Sequence, residues 1–509
     1  MNVLVYTNVI SWEMHVATTI EIIQKHLDKK DKVYLFANEN EELICLPHKK
    51  TNCHHCSKQA NYVVEKLFEN KIVKLKVKSK RKYKLPKFLN TDEILEYRYE
   101  DMPIGELAMS QITDEYRQVF HNIDILNMKI SPILNQGINL YLDICELIEN
   151  NKIDIVYAWN GRRATEGPTL YAGLKKKIKI YSYITGGNLN SYIIQPTTTT
   201  HDLEYSKKRI EKFYEKFYNV NDRSKKDYFI SEANLFYEYM RFGGGRVWGY
   251  VYYKDLFDDT VPIEKKSQKK ILSIFTSSYY EFYALGESFR KKNNKDINHY
   301  DSIKKILSSK LIFDNYDIRI RWHPNLSTAG KKELDEVKGI IEKSKKEITH
   351  YSPFNKINSY KLLEISDVVL SFGSTVGIEA TYYKKPSILW GAAYYEDTGG
   401  VYEVGSLEQL ETLLNKNLIA KSKISAMKFA FHERNKGEYQ YNYIKYDKNF
   451  RYYYKNMRVY NPTSIELLKE NLKILLKPLG LINYTRKTYY FFCKLLGVKR
   501  NESYTPSEW

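Results

Sequence analysis

The feature that most constrains this chain is an alternation of short apolar strands with amphipathic helices that runs, breaks and then starts again. The first run opens on the strand NVLVYTN, continues through an amphipathic segment, VATTIEIIQKHL, and reaches a second strand, KVYLFAN. Two near-continuous apolar runs flanking a segment of helical period define a βαβ unit, whose parallel strands need cover on both faces. Residues 90–151 read as mainly helical, an insertion within this run. Strands return at 153–159 (IDIVYAW), 177–184 (KIKIYSYI) and 245–250 (GRVWGY), the last expected to close the first sheet. Residues 253–270 are charged, contain Pro262 and lose the apolar period, which marks a linker. The alternation then restarts with ILSIFTSS (271–278), YDIRIRWHP (316–324), EITHYSP (347–353), SDVVLSFGST (366–375) and PSILWG (386–391). The pattern predicts two facing, doubly wound, Rossmann-like α/β domains. They span 1–252, with the helical insertion, and 271–455, and a basic helical tail follows over 456–509. A chain of 509 residues has the length for two cores.

Chemistry collects at strand ends in the second run. In RIRWHPN (319–325) the alternation turns Arg319, Arg321 and His323 to one side, and Pro324 stops the strand. His323 and Asn325 therefore stand at a carboxyl edge, where open α/β sheets bind ligands. A second strand end carries Thr276, Ser277, Ser278 and Glu281. The third reads Ser371-Phe372-Gly373-Ser374-Thr375, with a helix expected from about Val376. Gly373 permits a tight turn, Ser374 or Thr375 can cap the helix, and the exposed N–H groups suit an anion. Glu379, early in that helix, is placed to hold ribose hydroxyls. Singly these are a cap and a structural histidine; together they converge on one place. Across the cleft, Glu13 and His15 follow the first strand and are candidates for a base, or else a first-turn acid and an exposed imidazole. Asn160, Arg162, Arg163 and Glu166 follow another strand end and suit the hydroxyl or acidic groups of an acceptor.

The R-x-H-P-N run ending at Asn325, followed by S-x-G-S-T-x-x-x-E-A from Ser371 to Ala380, resembles bacterial capsule and surface-polysaccharide biosynthesis proteins of the glycosyltransferase B fold. It is also similar to the related polymerising sialyl-, Kdo- and glycerophosphate-transferases. WNGRRATEGPTLYAG (159–173) and FTSSYYE share the resemblance, which fades over 60–150 and beyond 455. It implies that His323, Pro324, Ser374, Thr375 and Glu379 hold a nucleotide-sugar donor. The donor side as a whole would comprise Arg319, Arg321, Asn325, Ser277, Ser278, Glu281, Gly373, Ser374, Thr375 and Glu379. The implied activity is sugar transfer to a growing polysaccharide or lipid-linked glycan. The alternatives are a nucleotide-sugar 2-epimerase, a glycerophosphotransferase of the same fold, or a non-catalytic nucleotide- or carbohydrate-binding assembly factor. The sequence has no D-x-D triplet, so the charge on the departing phosphate is expected to be met by Arg319, Arg321 and a protonated or hydrogen-bonding His323, without a catalytic metal.

The net charge of +19 suits phosphate-bearing or anionic partners, yet the lysines are scattered and no nucleic-acid-binding module accompanies them. Nucleic acid is therefore not an expected partner. CLPHKKTNCHHCSK gathers Cys45, Cys53 and Cys56 with His48 or His55 as a fourth ligand (His48 is preferred), a structural zinc site, a redox or Fe–S site, or a reduced loop without metal. Five cysteines in such a chain fit a reducing compartment. The amino terminus does not read as a signal peptide, and no apolar run reaches about 18 residues. A cytoplasmic protein is expected. Its tail, basic and aromatic through Tyr489, Tyr490, Phe491 and Phe492, would either dock on the first domain or lie on an anionic membrane beside a lipid-linked acceptor.

Overall fold

The computed structural model describes residues 1–7, 12–37, 58–75, 81–119, 122–242, 263, 268–286, 289, 299–344, 348–447 and 451–462. The strand expected at 245–250, most of the linker, the cysteine–histidine segment and the tail from 463 lie outside the described residues. So does the question of where that tail docks.

The first sheet takes β1 (Asn2–Thr7), β2 (Lys32–Ala37), β3 (Val73–Leu75), β4 (Ile155–Trp159), β5 (Lys179–Thr185) and β6 (Ser191–Gln195). The second takes β7 (Lys270–Phe275), β8 (Tyr316–Arg321), β9 (Thr349–Tyr351), β10 (Val368–Ser371), β11 (Ser387–Trp390) and β12 (Tyr402–Val404). Four short strands complete the set: β13 (Tyr439–Gln440), β14 (Ile444–Tyr446), β15 (Tyr452–Tyr454) and β16 (Met457–Arg458). The second sheet is ordered β12-β11-β10-β7-β8-β9, parallel throughout. This is a doubly wound Rossmann order whose winding reverses between β7 and β10. The first sheet repeats it as β3-β2-β1-β4-β5, then adds β6 and β13 antiparallel. The chain is thus α/β with two Rossmann-like domains.

Burial on both faces explains why these segments are strands. In β10, Val368 and Leu370 join the core under the helices His299–Ser308, Lys331–Ser344 and Leu407–Leu414, while Val369 faces the opposite cluster with Leu362 and Ala380. In β8, Tyr316, Ile318 and Ile320, followed by Trp322, point into the first of these cores, which leaves Arg319 and Arg321 on the other face. The insertion is helical as expected, with helices Thr91–Glu96, Ile104–Tyr116 and Ile123–Asn151. Their apolar stripes cover one face of the first sheet.

The two domains exchange cover, which a linear reading does not reveal. Helices Leu203–Phe217 and Arg223–Phe242 fall within the expected first domain. They instead pack Phe229, Phe236 and Tyr237 against Phe429 and Phe431 of helix Lys423–Asn435, and against Ile378 and Leu389. Residues 439–460, mostly expected in the second domain, return to the first. β13 pairs with β6, and Tyr441 together with Ile444, Tyr452 and Tyr454 of the β14–β16 sheet packs on the core shared with Val16 and Ile20 of helix Glu13–Asp28. At the crossing Gly437 presses on Ser191, where a Cβ would meet the hydroxyl at 2.0 Å.

Glu13 anchors this return. Its carboxylate accepts from Arg458 Nε (3.0 Å) and Nη2 (2.7 Å) and from the Tyr452 amide (2.9 Å). The sequence-based assignment of Glu13 as a base for chemistry is therefore corrected: its oxygens are spent on a largely buried ion pair. Glu13→Ala, which strands the guanidinium, is expected to lower unfolding free energy by about 1–3 kcal/mol in denaturant titration. Glu13→Leu combined with Arg458→Met should recover most of that loss.

Candidate functional site

At the β7/β10 reversal the outgoing chains diverge and leave a cleft of about 290 Å³. Its walls are the segments leaving three strands: Thr276–Glu281 after β7, His323–Asn325 after β8 and Gly373–Val376 after β10, with Glu379 and Tyr360 behind.

His323 is fixed by its backbone and its ring. Its amide donates to Thr276 Oγ1 (2.9 Å), tying two strand ends together. Its Nδ1 accepts from the Asn325 amide (3.2 Å) and lies 3.3 Å from Ser278 Oγ. A ring accepting at Nδ1 carries its neutral-state proton on Nε2. Burial, reinforced by the nearby Arg321 charge, lowers the ring to about 4, so His323 is neutral at physiological pH and has Nε2–H as its donor. Of the two alternatives open in the sequence, protonated or hydrogen-bonding, the geometry selects the second.

Arg321 lines the cleft, but its guanidinium donates to the carbonyls of Ser352 (2.7 Å) and Asn355 (3.1 Å). Burial lowers it to about 10, which still leaves it cationic. It therefore lends the cleft charge while its hydrogen bonds hold the 352–355 loop. Arg319 is corrected as a donor-site residue. One pleat further from the strand end, it is 1% exposed, pairs with Asp317 (2.9 Å) and does not line the cleft.

The turn after β10 needs Gly373, whose φ of +77° is left-handed. The Ser374 carbonyl accepts from Ser371 Oγ (3.0 Å), Tyr395 OH (2.7 Å) and the Gly377 amide (3.0 Å), which locks the turn. Helix Val376–Tyr382 has seven residues and no side-chain cap, so the expected capping role of Ser374 or Thr375 is not realised. A helix of two turns also lends little dipole, so the turn offers an anion chiefly its hydroxyls and amides. Glu379 is 1% exposed and accepts from Tyr360 OH and Thr375, with burial raising its pKa. Ser277 is buried on the cleft wall, and its Oγ has no hydrogen-bond partner among the described residues. Such an orphaned hydroxyl marks a place for a polar ligand atom.

The first-domain candidates are placed differently. His15 is buried, accepts from Trp159 Nε1 (2.8 Å) at Nδ1 and stacks on Trp12; burial lowers it to about 3. It is a packed aromatic neighbour, corrected from an exposed imidazole or a base. Asn160 takes a left-handed φ of +57° and braces the turn through Tyr183 and Thr200. Glu166 is fully buried and accepts from Thr165, which removes it from contact with an acceptor. Arg162 and Arg163 share Asp114, Arg162 at 2.7 Å, and they hold that carboxylate down to about 2 against its burial. This trio reaches the cleft electrostatically through Glu281, where burial and Asp114 raise the pKa and Arg162 opposes them.

Sequence reading missed Tyr360 and Asp114, whereas Thr276 was read at its strand end and now proves to anchor the His323 amide. Asp114 and Tyr360 lie within helices at no diagnostic spacing. Among the described residues no cluster of three or more His, Cys, Asp or Glu could hold a metal, and no helix is long and apolar enough to cross a membrane. The expected zinc ligands Cys45, His48, Cys53 and Cys56 lie outside the described residues.

A family model described as capsule polysaccharide biosynthesis protein matches residues 296–450, which contain the β8 and β10 turns. No curated protein matches the chain. Similar solved structures include the KpsC β-Kdo 2,4 transferase of Thermosulfurimonas dismutans, at 11% identity and TM-score 0.32, covering 55% of this chain and 79% of that one. The β-Kdo 2,7 transferase of the same organism stands at 15% and 0.32, covering 58% and 88%. UDP-GlcNAc 2-epimerase from Neisseria meningitidis, bound to UDP-GlcNAc, stands at 14% and 0.28, covering 84% and 94%. At such low identity it is the strand order that defines the fold.

The His323 geometry has a direct spectroscopic consequence. In ¹³C-labelled protein, with the signal assigned by His323→Gln, the ring should titrate near pH 4 and show the Nε2–H tautomer above it. Because the folded value is depressed, the ring contributes stability that is present above its ordinary 6.5 and lost as pH falls through about 4. A titration between 6 and 7 would contradict the assignment.

Proposed function

We propose that this chain is a glycosyltransferase of surface-polysaccharide synthesis that takes its nucleotide-sugar donor in the β7/β10 cleft. The observation that carries the proposal is the convergence of Ser277, His323, Ser374, Thr375 and Glu379 on one cleft at the switch point, the last four of them inside the stretch 296–450 that the capsule-family model matches. The donor phosphates lie against Ser277 Oγ, the 373–376 turn and the His323 Nε2–H, with the Arg321 charge behind them. Ribose hydroxyls meet Glu379 and Tyr360. As the sugar leaves, negative charge grows on the nucleotide phosphate. Donors already fixed in place stabilise that charge without reorganising, which is why a neutral, oriented histidine suffices. The sequence lacks D-x-D, so this reading needs no catalytic metal.

The first domain supplies the acceptor side in this proposal, through the wall built from Arg162, Arg163 and Asp114. The acceptor is a growing polysaccharide or lipid-linked glycan, and the work is done in the cytoplasm, with the basic tail as a peripheral attachment to anionic membrane. Zinc at Cys45, His48, Cys53 and Cys56 is proposed as a structural element only.

Calorimetry with a panel of nucleoside diphosphates tests the donor site. Ser277→Ala with Ser374→Ala should leave the thermal midpoint unchanged or slightly raised, since the Ser277 hydroxyl has no partner among the described residues and the turn is locked through the Ser374 carbonyl, which the substitution keeps. It should also cost about 1.5–3 kcal/mol of nucleotide affinity. His323→Ala should abolish sugar transfer in a folded protein. Binding unchanged in the serine pair would remove the phosphate role from this cleft. Release of a C2 epimer without acceptor would replace the transferase by an epimerase.

A further inference from the structure

With Glu13 and His15 committed to packing, the proposed transfer has no proton acceptor among the residues the sequence singled out for that task. We infer that Glu281, on the short turn after β7, is the base that takes the acceptor's hydroxyl proton. The inference rests on the transferase reading above and adds the residue and the stereochemical course to it.

The geometry selects Glu281 by what its rivals are doing. Among the described residues, two carboxylates line the cleft, Glu281 and Glu379, and Asp114 stands on the first-domain wall. Asp114 is bound by two guanidiniums and held near 2, which makes it a poor base. Glu379 is buried at the back, accepting from Tyr360 and Thr375. Glu281 lines the cleft and is only half-buried, and its single side-chain hydrogen bond among the described residues is a long one from Asn325 Nδ2 (3.4 Å). Asn325 is two residues from His323, whose ring accepts from the Asn325 amide, so the base and the phosphate-side donor share one small turn. The groups facing Glu281 are Asn325 and His323 from the β8 turn, Asp114 and Arg117 from helix Ile104–Tyr116 and its cap, Arg162 from the β4 turn, and Tyr280 beside it. It therefore sits where the donor cleft meets the first domain, between the leaving group and an acceptor arriving from that side. Burial and Asp114 raise its pKa, a direction that improves a carboxylate as a base near neutrality.

The step balances as a single displacement. The acceptor oxygen forms a bond to the anomeric carbon as that carbon's bond to the phosphate oxygen breaks. The bonding pair leaves on the nucleotide phosphate, and the hydroxyl proton passes to a Glu281 oxygen. Attack from the face opposite the leaving group inverts the anomeric centre.

The test uses full-length protein with the nucleotide sugar and acceptor that support turnover. Glu281→Gln should lower kcat by roughly 10²–10⁴-fold, with donor Kd changed less than about threefold. Glu281→Ala should regain activity with added formate, and wild-type product should show the anomer opposite to the donor by proton coupling. Loss of donor affinity in parallel with kcat would return Glu281 to donor binding and overturn the inference, as would retention at the anomeric carbon. Wild-type transfer matched by Glu281→Gln overturns the assignment alone. Wild-type protein that binds donor and transfers to no acceptor overturns the transferase reading and this assignment with it.

Discussion

Everything in the proposed site depends on the parallel pairing of β7 with β8 on one side and β10 on the other. Parallel strands put all their carboxyl ends on one edge. Where the winding reverses, the connections leave in opposite directions and cannot fill the space between them. The cleft is thus a property of the topology before any side chain is considered. Side chains decide only what it can hold: Ser277, His323 and the 373–376 turn make it polar, while Arg321 makes it positive. Cross-links keep the three ends in register: the His323 amide on Thr276 Oγ1, the Thr276 amide on the Arg321 carbonyl (3.2 Å) and the Phe372 amide on the Phe275 carbonyl (3.1 Å).

Much of this was legible in the sequence. The strand ends carrying His323, Ser277 and Gly373 announced themselves because each break in apolar pattern coincided with polar or turn residues. The two-sheet architecture followed from the restart of βα alternation after 253–270. What the sequence could not show is where a polar side chain spends its hydrogen bonds. Glu13 and Arg319 look reactive in one dimension. One is consumed by Arg458, 445 positions away, and the other by Asp317 on its own strand. His15 likewise meets its partner, Trp159, only after the sheet has formed.

Domain boundaries were the least legible element. Helices 203–242 are amphipathic whichever domain they cover, and nothing local says that Phe229 and Phe236 will meet Phe429 and Phe431. The tyrosine-rich run 439–454 has a strand-like period, but its sheet is defined by β6 and helix Glu13–Asp28, hundreds of residues earlier. Reciprocal cover of this kind gives two crossings between the domains in place of one.

That exchange has a consequence for how the chain is made. Synthesis delivers helix Glu13–Asp28 first, yet the tyrosines that cover it and the arginine that pairs Glu13 arrive only with residues 441–458. At about 5–20 residues per second the wait is roughly 20–90 s. Throughout that interval the first domain carries an uncovered apolar face and an unpaired acid, and the strand β6 offers an open edge. The nascent chain therefore cannot complete its first domain on the ribosome before nearly all of the second has emerged, and it is a natural client for chaperones that shield such surfaces.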